Sequence, residues 1–225
     1  MKSFSIYNYL FRFLTPTRTP LFFFLPISLI ILCTHSWVHA TKIIAHDKAA
    51  SDRFGYSVSQ SGNILAVGAY LADPDGISDA GAAYIYRIEA NGSASYLNKV
   101  VATDKTAGDY FGHSVSQSGN ILAVGAYHAD PDGLTNAGAA YIYRIEANGS
   151  ASYLNKVVAP DKAASDNFGV SVSQSGNILA VGARYADPDG ISGAGAAYIY
   201  RIEANGSASY LNKVVATDKA ASDYF

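Results

Sequence analysis

The sequence repeats itself with a fixed period of 57 residues. Phe54, Phe111, Phe168 and Phe225 each follow an Asp and one variable residue. Between them FG-x-SVSQSGNILAVGA, a DPDG segment and AGAAYIYRIEANGSASYLNKVVA return almost letter for letter. A period of this length restricts a chain to an array of one supersecondary unit, each unit burying its apolar faces against its neighbours. The function of such an array has to be sought on the surface that stacking leaves open. Phe225 is the Phe of a fourth unit whose Gly is not in the sequence, so the chain is expected to be a piece of a longer protein.

The repeats fall at about 46–102, 103–159 and 160–216, with the start of a fourth at 217–225. Residues 1–40 stand apart. They carry Lys2, Arg12 and Arg18 and no acidic residue, then the apolar run Leu21–Cys33, then polar residues ending in Val38-His39-Ala40. That order is expected of a secretory signal peptide, with an uncleaved anchor as the alternative. Pro26 and the shortness of the run argue against a membrane span of about 20 residues. Cys33 follows Leu32 rather than a small residue, which argues against lipidation.

The leader holds three of the 16 basic residues and none of the 18 acidic ones, so residues 41–225 carry a net charge of −5. That balance disfavours a nucleic-acid partner. The sole Cys also lies in the leader, so the array has no disulfide, thiolate metal site or Cys nucleophile. It must be held by its core, and units that share faces bury more than one unit alone.

Within a unit, Phe54, Tyr56 and Val58 alternate with Gly55, Ser57 and Ser59, the period of a strand. Ile64–Ala69 is a continuous apolar run, as in a strand covered on both faces. Residues 82–88 and 95–101 read as third and fourth strands, joined by Asn91-Gly92 as a hairpin turn with both residues at positive φ. Four short antiparallel strands per repeat predict an all-β chain of β-propeller blades. About three blades are present, a fragment of a larger ring. A β-solenoid is the competing architecture, but its repeats are shorter and lack such turns.

Asp-x-Phe-Gly, then Val-Gly-Ala, then Gly-x-x-Tyr-Ile-Tyr resembles the FG-GAP repeat, three times over. The resemblance implies a propeller, often seven-bladed, of the kind found in integrin α subunits and in bacterial surface proteins. It implies an exported binding or adhesion module without catalysis, secreted or at the cell surface. The partner would be an extracellular protein or carbohydrate. An accessory propeller of a secreted enzyme, or a structural surface repeat, are the alternatives. The family's Pro after Gly-Ala is here Tyr70, Tyr127 and Arg184, which departs from integrin-like ligand binding.

The same resemblance implies a calcium loop between the second and third strands. Its candidates are Asp73, Asp75 and Asp79, then Asp130, Asp132 and Asn136, then Asp187 and Asp189, with Leu71 at the pattern's first position. Calcium needs six or more oxygens, whereas Asp-Pro-Asp-Gly is also ordinary turn chemistry. No His, Ser or acidic arrangement suggests catalysis. Asn91, Asn148 and Asn205 head N-G-S sequons that the turn explains equally.

Counted from the Phe, the units differ at ten positions, and in an antiparallel blade all ten fall on one rim. The expected contact face there comprises Arg53, Tyr56, Tyr70, Leu71, Tyr110, His113, Tyr127, His128, Asn167, Arg184 and Tyr185. Drift after duplication is the competing explanation, which the unchanged N-G-S turn opposes.

Overall fold

Each repeat closes on itself as one four-stranded antiparallel sheet in strand order. A computed structural model describes residues 42–225; the signal peptide expected at residues 1–40 lies outside the described residues. The first blade is β1 (Val58–Ser61), β2 (Ile64–Ala69), β3 (Ala82–Ile88) and β4 (Ala94–Val100). The second is β5 (Ser114–Ser118), β6 (Ile121–Ala126), β7 (Ala139–Ile145) and β8 (Ala151–Val157). The third is β9 (Phe168–Ser175), β10 (Ile178–Ala183), β11 (Ala196–Ile202) and β12 (Ala208–Val214). These are three propeller blades. Their only helical pieces, among the described residues, are 3-10 turns at Pro74–Gly76, Pro131–Gly133 and Pro188–Gly190.

The second and third strands alternate large and small residues, and the two sizes face opposite neighbours. Ala66, Ala83 and Ile85 of the first blade pack on Leu122, Val124, Tyr141 and Tyr143 of the second. Ala123, Ala140 and Ile142 do the same for the third blade's Leu179, Val181, Tyr198 and Tyr200. Fully burying each large side chain contributes about 1.5–3 kcal/mol. Small residues opposite them let the backbones approach. A Cβ on Gly68 would run into the Gly112 carbonyl, and one on Gly81 into the Phe111 carbonyl. Gly68 and Gly81 are therefore contact points between blades.

The linker is built by its Asp. Asp109 Oδ2 accepts from the Thr106 N–H at 2.7 Å, and Asp52, Asp166 and Asp223 repeat this at Ala49, Ala163 and Ala220. It then threads onto the preceding blade, where the Phe111 and Phe168 N–H groups donate to Ala80 and Ala137 carbonyls at 3.0 and 2.9 Å. A second triad ties the linker to the following blade. Asp47 accepts from Tyr84 at 2.7 Å and from Lys99 at 2.6 Å, and Asp104 accepts from Tyr141 and Lys156 in the same way. Burial pushes the Asp47 carboxyl up, but the Lys99 and Tyr84 hydrogen bonds and the Lys99 charge outweigh it and hold it below its ordinary value.

The first strands, each a sheet edge, are joined by hydroxyls. Ser57, Ser59 and Ser61 accept from the Val115, Gln117 and Gly119 N–H groups at 3.0, 2.9 and 3.1 Å. Ser116 and Ser118 accept from Gln174 and Gly176 at 2.8 and 2.9 Å. An edge strand's unpaired donors are a liability; here the next blade's donors are met by alternate serines.

Three local expectations need correction. The fourth strand runs from Ala94 to Val100, one residue earlier than its apolar content suggests. The first strand of the first blade begins only at Val58. The 90–92 hairpin holds only Gly92 at positive φ (80°), while Asn91 Oδ1 accepts from the Ser93 N–H and Oγ at 2.9 and 2.7 Å. It is a three-residue loop closed by Glu89 and Ser93, not a two-residue turn.

Candidate functional site

Strand direction places the starts of the first strands, the ends of the second and fourth strands and the 3-10 turns on one rim. Tyr56 and Tyr70, at the two sides of β1 and β2, meet with ring centroids 4.6 Å apart. His113 lies 4.9 Å from Tyr56 and 4.5 Å from Tyr127. Tyr110 touches Tyr70, Tyr127 and His128 at 5.7, 5.6 and 4.8 Å. Six rings from two blades thus form one continuous surface, in the edge-on and tilted geometries that aromatic pairs favour. On the third blade the Arg184 guanidinium covers the Tyr185 ring at 4.6 Å, and Tyr185 meets Tyr224 edge-on at 5.2 Å.

The electrostatics of the surface follow from partial burial. Burial depresses the His113 imidazole, and the charges of Arg184 and His128 add to that against the Val170 carbonyl bond at 3.2 Å. Burial also depresses His128, helped by Arg184 and opposed by Asp130 and Asp109. Both imidazoles are therefore pushed toward the neutral form, beside the fixed charge of Arg184.

The backbone under the rim is unusual. The residue before each Phe takes positive φ: Arg53 59°, Tyr110 58°, Asn167 55° and Tyr224 55°. A side-chain-bearing residue in this region costs about 1–2 kcal/mol, least for Asn and Asp. Arg and Tyr are thus held where a smaller residue would be easier, with their side chains at the rim.

One expected contact residue is not on the surface. Asn167 is 4% exposed, and its Nδ2 donates to the Asn136 carbonyl at 3.1 Å. It holds the linker to the preceding loop and leaves the contact face. Arg53, Tyr56, Tyr70, Leu71, Tyr110, His113, Tyr127, His128, Arg184 and Tyr185 all keep some exposure.

The acidic loops are closed by their own chemistry. Asp73 Oδ1 accepts from the Asp79 N–H at 2.8 Å, as Asp130 does from Asn136 and Asp187 from Gly193, both at 2.7 Å. Asp75, Asp132 and Asp189 pair with Lys105, Lys162 and Lys219 of the following linker at 3.1, 3.0 and 3.0 Å. Among the described residues no three His or acidic side chains converge as a metal site. The loops fit calcium poorly, because an ammonium already balances the middle carboxylate.

The opposite rim holds something the sequence did not suggest. Two equivalent clefts lie between successive hairpins, one lined by Asn63, Arg87, Asn120 and Glu146, the other by Asn120, Arg144, Asn177 and Glu203. Arg87 and Arg144 bridge them, donating to the Ala147 and Ala204 carbonyls at 3.3 and 3.1 Å. These two bonds tie the backbone just before the second and third N-G-S turns to the preceding blade.

Among the described residues no helix is long and apolar enough to cross a membrane. A family model described as FG-GAP repeat matches residues 37–86, 95–143 and 152–200. No curated protein matches the chain significantly. Sqt1 of Saccharomyces cerevisiae superposes with a TM-score of 0.47 at 10% identity, over 76% of this chain and 38% of that one. A Lactobacillus plantarum protein gives 0.47 at 18%, over 72% and 42%. The computationally designed Ika4 gives 0.46 at 14%, over 81% and 82%. The chain spans about two fifths of the first two structures. The fold is read from the chain's own three sheets, not from these partial likenesses.

Proposed function

The chain belongs to the FG-GAP repeat family, and we propose that it is an exported, non-catalytic binding module that holds an extracellular protein or carbohydrate on its aromatic rim. The observation that carries this is the joined surface of Tyr56, Tyr70, Tyr110, His113, Tyr127 and His128. It is built almost wholly from positions that differ between repeats. Rings with polar tips combine contact area with hydrogen bonding, and Tyr and Arg dominate binding hot spots.

The test is a screen of glycan and extracellular-protein arrays, followed by alanine at Tyr70, Tyr127 and Arg184 together. Binding should fall at least about tenfold, equivalent to 1.4 kcal/mol, with the circular-dichroism spectrum unchanged. Alanine at Ser152 and Ser209, exposed on the outer strands, should leave binding intact. Equal losses from both sets would refute the assignment of the rim. Export is tested separately by mass spectrometry of secreted material, which should begin at Thr41.

A further inference from the structure

The two clefts on the rim opposite the aromatic surface are built alike, at the junctions between the first and second blades and between the second and third. Each takes its Arg from one blade and its Glu from the next: Arg87 with Glu146, then Arg144 with Glu203. Their volumes are about 520 and 400 Å³, within the range of about 300–1,000 Å³ that small-molecule sites occupy. Ile145 and Ile202, each 5% exposed, give them an apolar patch. Every lining position is identical in the three units.

The opposed charges of a cleft do not close on each other. Every ion pair among the described residues joins a Lys to an Asp, so neither Arg–Glu couple is one. Each Arg gives one hydrogen bond to the Ala147 or Ala204 carbonyl, and the guanidinium fork keeps its other donors. The backbone beneath is fixed. The Ile145 N–H donates to the Asn120 carbonyl at 2.7 Å and the Glu146 N–H to the Ser150 carbonyl at 2.8 Å, with the same bonds at Ile202 and Glu203. Donors and acceptors are thus set apart on turns that are already ordered, which lowers the cost of binding.

We propose that these clefts bind a neutral polysaccharide, with successive stretches of one glycan entering successive clefts. One Arg and one Glu leave each cleft without net charge, and the Glu repels an anion, so the occupant is uncharged. To bridge the couple it must accept from the guanidinium and donate to the carboxylate. A hydroxyl does both, and the Asn63, Asn120 and Asn177 amides add a donor and an acceptor each. The C–H face of a sugar ring suits the Ile patch. An open cleft of this kind holds one sugar weakly. Identical clefts repeated along a rim favour a ligand that also repeats, because linked sites multiply affinity. The site is separate from the aromatic rim and does not depend on what that rim holds.

The experiment is calorimetric titration of the unchanged chain with hexasaccharides of glucose, xylose, mannose and N-acetylglucosamine, and with the four monosaccharides. At least one hexasaccharide should bind, at least about tenfold more tightly than its monosaccharide, and with little dependence on salt. Glu146→Ala and Glu203→Ala should each weaken that binding at least about tenfold, and together abolish it. The hairpins are closed by the Glu backbones, so folding should persist, checked by circular dichroism. Alanine at Tyr70, Tyr127 and Arg184, on the other rim, should leave the titration unaltered. Three results would each overturn the proposal: no binding of any hexasaccharide, undiminished binding by the double Glu variant, or loss of binding in the aromatic-rim variant. The last would place the glycan on the aromatic surface instead.

Discussion

Gly125 and Gly182 occupy the same position in identical sequence, yet alanine should affect them differently. A Cβ on Gly125 would run into the Gly169 carbonyl of the third blade and into Ser114 Oγ. A Cβ on Gly182 meets only Ser171 Oγ, the end of a side chain that can rotate. Neither glycine takes positive φ, so alanine is conformationally allowed at both. At Gly125 the obstacle is backbone, which cannot yield without parting the blades. Overpacking costs about 1–3 kcal/mol, and losing the Ser114–Gly169 hydrogen bond about 1 kcal/mol more. Gly125→Ala should therefore destabilise by about 2–4 kcal/mol, or a fall in Tm of about 4–16 °C for a unit of this size. Gly182→Ala loses no such contact and reduces unfolded-state freedom, a gain of about 0.4–1 kcal/mol. Its Tm should hold or rise. Thermal unfolding by circular dichroism, at a dilution where the chain is monomeric, reads both. Equal losses would show that the glycine is required within a blade, and that the inter-blade argument is wrong.

Three further outcomes follow from local geometry. Asp47, Asp104 and Asp161 have lowered pKa values, so their contribution is complete above the unfolded carboxylate value and is lost as pH falls through the lower folded value. Replacing Lys99, Lys156 and Lys213 by Gln should flatten the dependence of unfolding free energy on pH below about 4; an unchanged slope would exclude the triads as its source. Arg53→Asn should stabilise by about 0.5–1 kcal/mol by easing positive φ, read by urea unfolding, and a loss of stability would refute that account. Millimolar calcium should leave Tm unshifted, because Lys105, Lys162 and Lys219 already balance Asp75, Asp132 and Asp189; a rise reversed by chelator would show that the lysines swing aside.

The second and third strands were legible to the residue, because Ile64–Ala69 and Ala82–Ile88 are apolar runs that end at Gly-bearing or charged segments. The serines were legible as strand residues but not as partners. Their acceptors and donors are 58 residues apart, and alternation looks the same whether a hydroxyl meets water or a backbone N–H. The Asn91 turn misled because its side chain, not its φ, does the bonding. Strand direction alone brings Tyr56, Tyr70, Tyr110, His113, Tyr127 and His128 together, whereas His46, also variable, stacks on Tyr96 of the outer strand. That Asn167 points inward was not visible, since its neighbours in the other units are Arg and Tyr at the same backbone conformation.

The serine contacts run one way only: each first strand offers hydroxyls forward and takes them from behind. Every 57-residue unit therefore encodes both sides of its own joint. Unequal crossing-over between such copies would insert or delete a whole blade without a single new contact having to evolve. Change within a joint is harder, because a useful substitution on one side must be matched in the neighbouring unit. Blade number can thus vary quickly in descendants of this gene while the packing stays fixed, and closure of the ring is the physical limit on how far it goes.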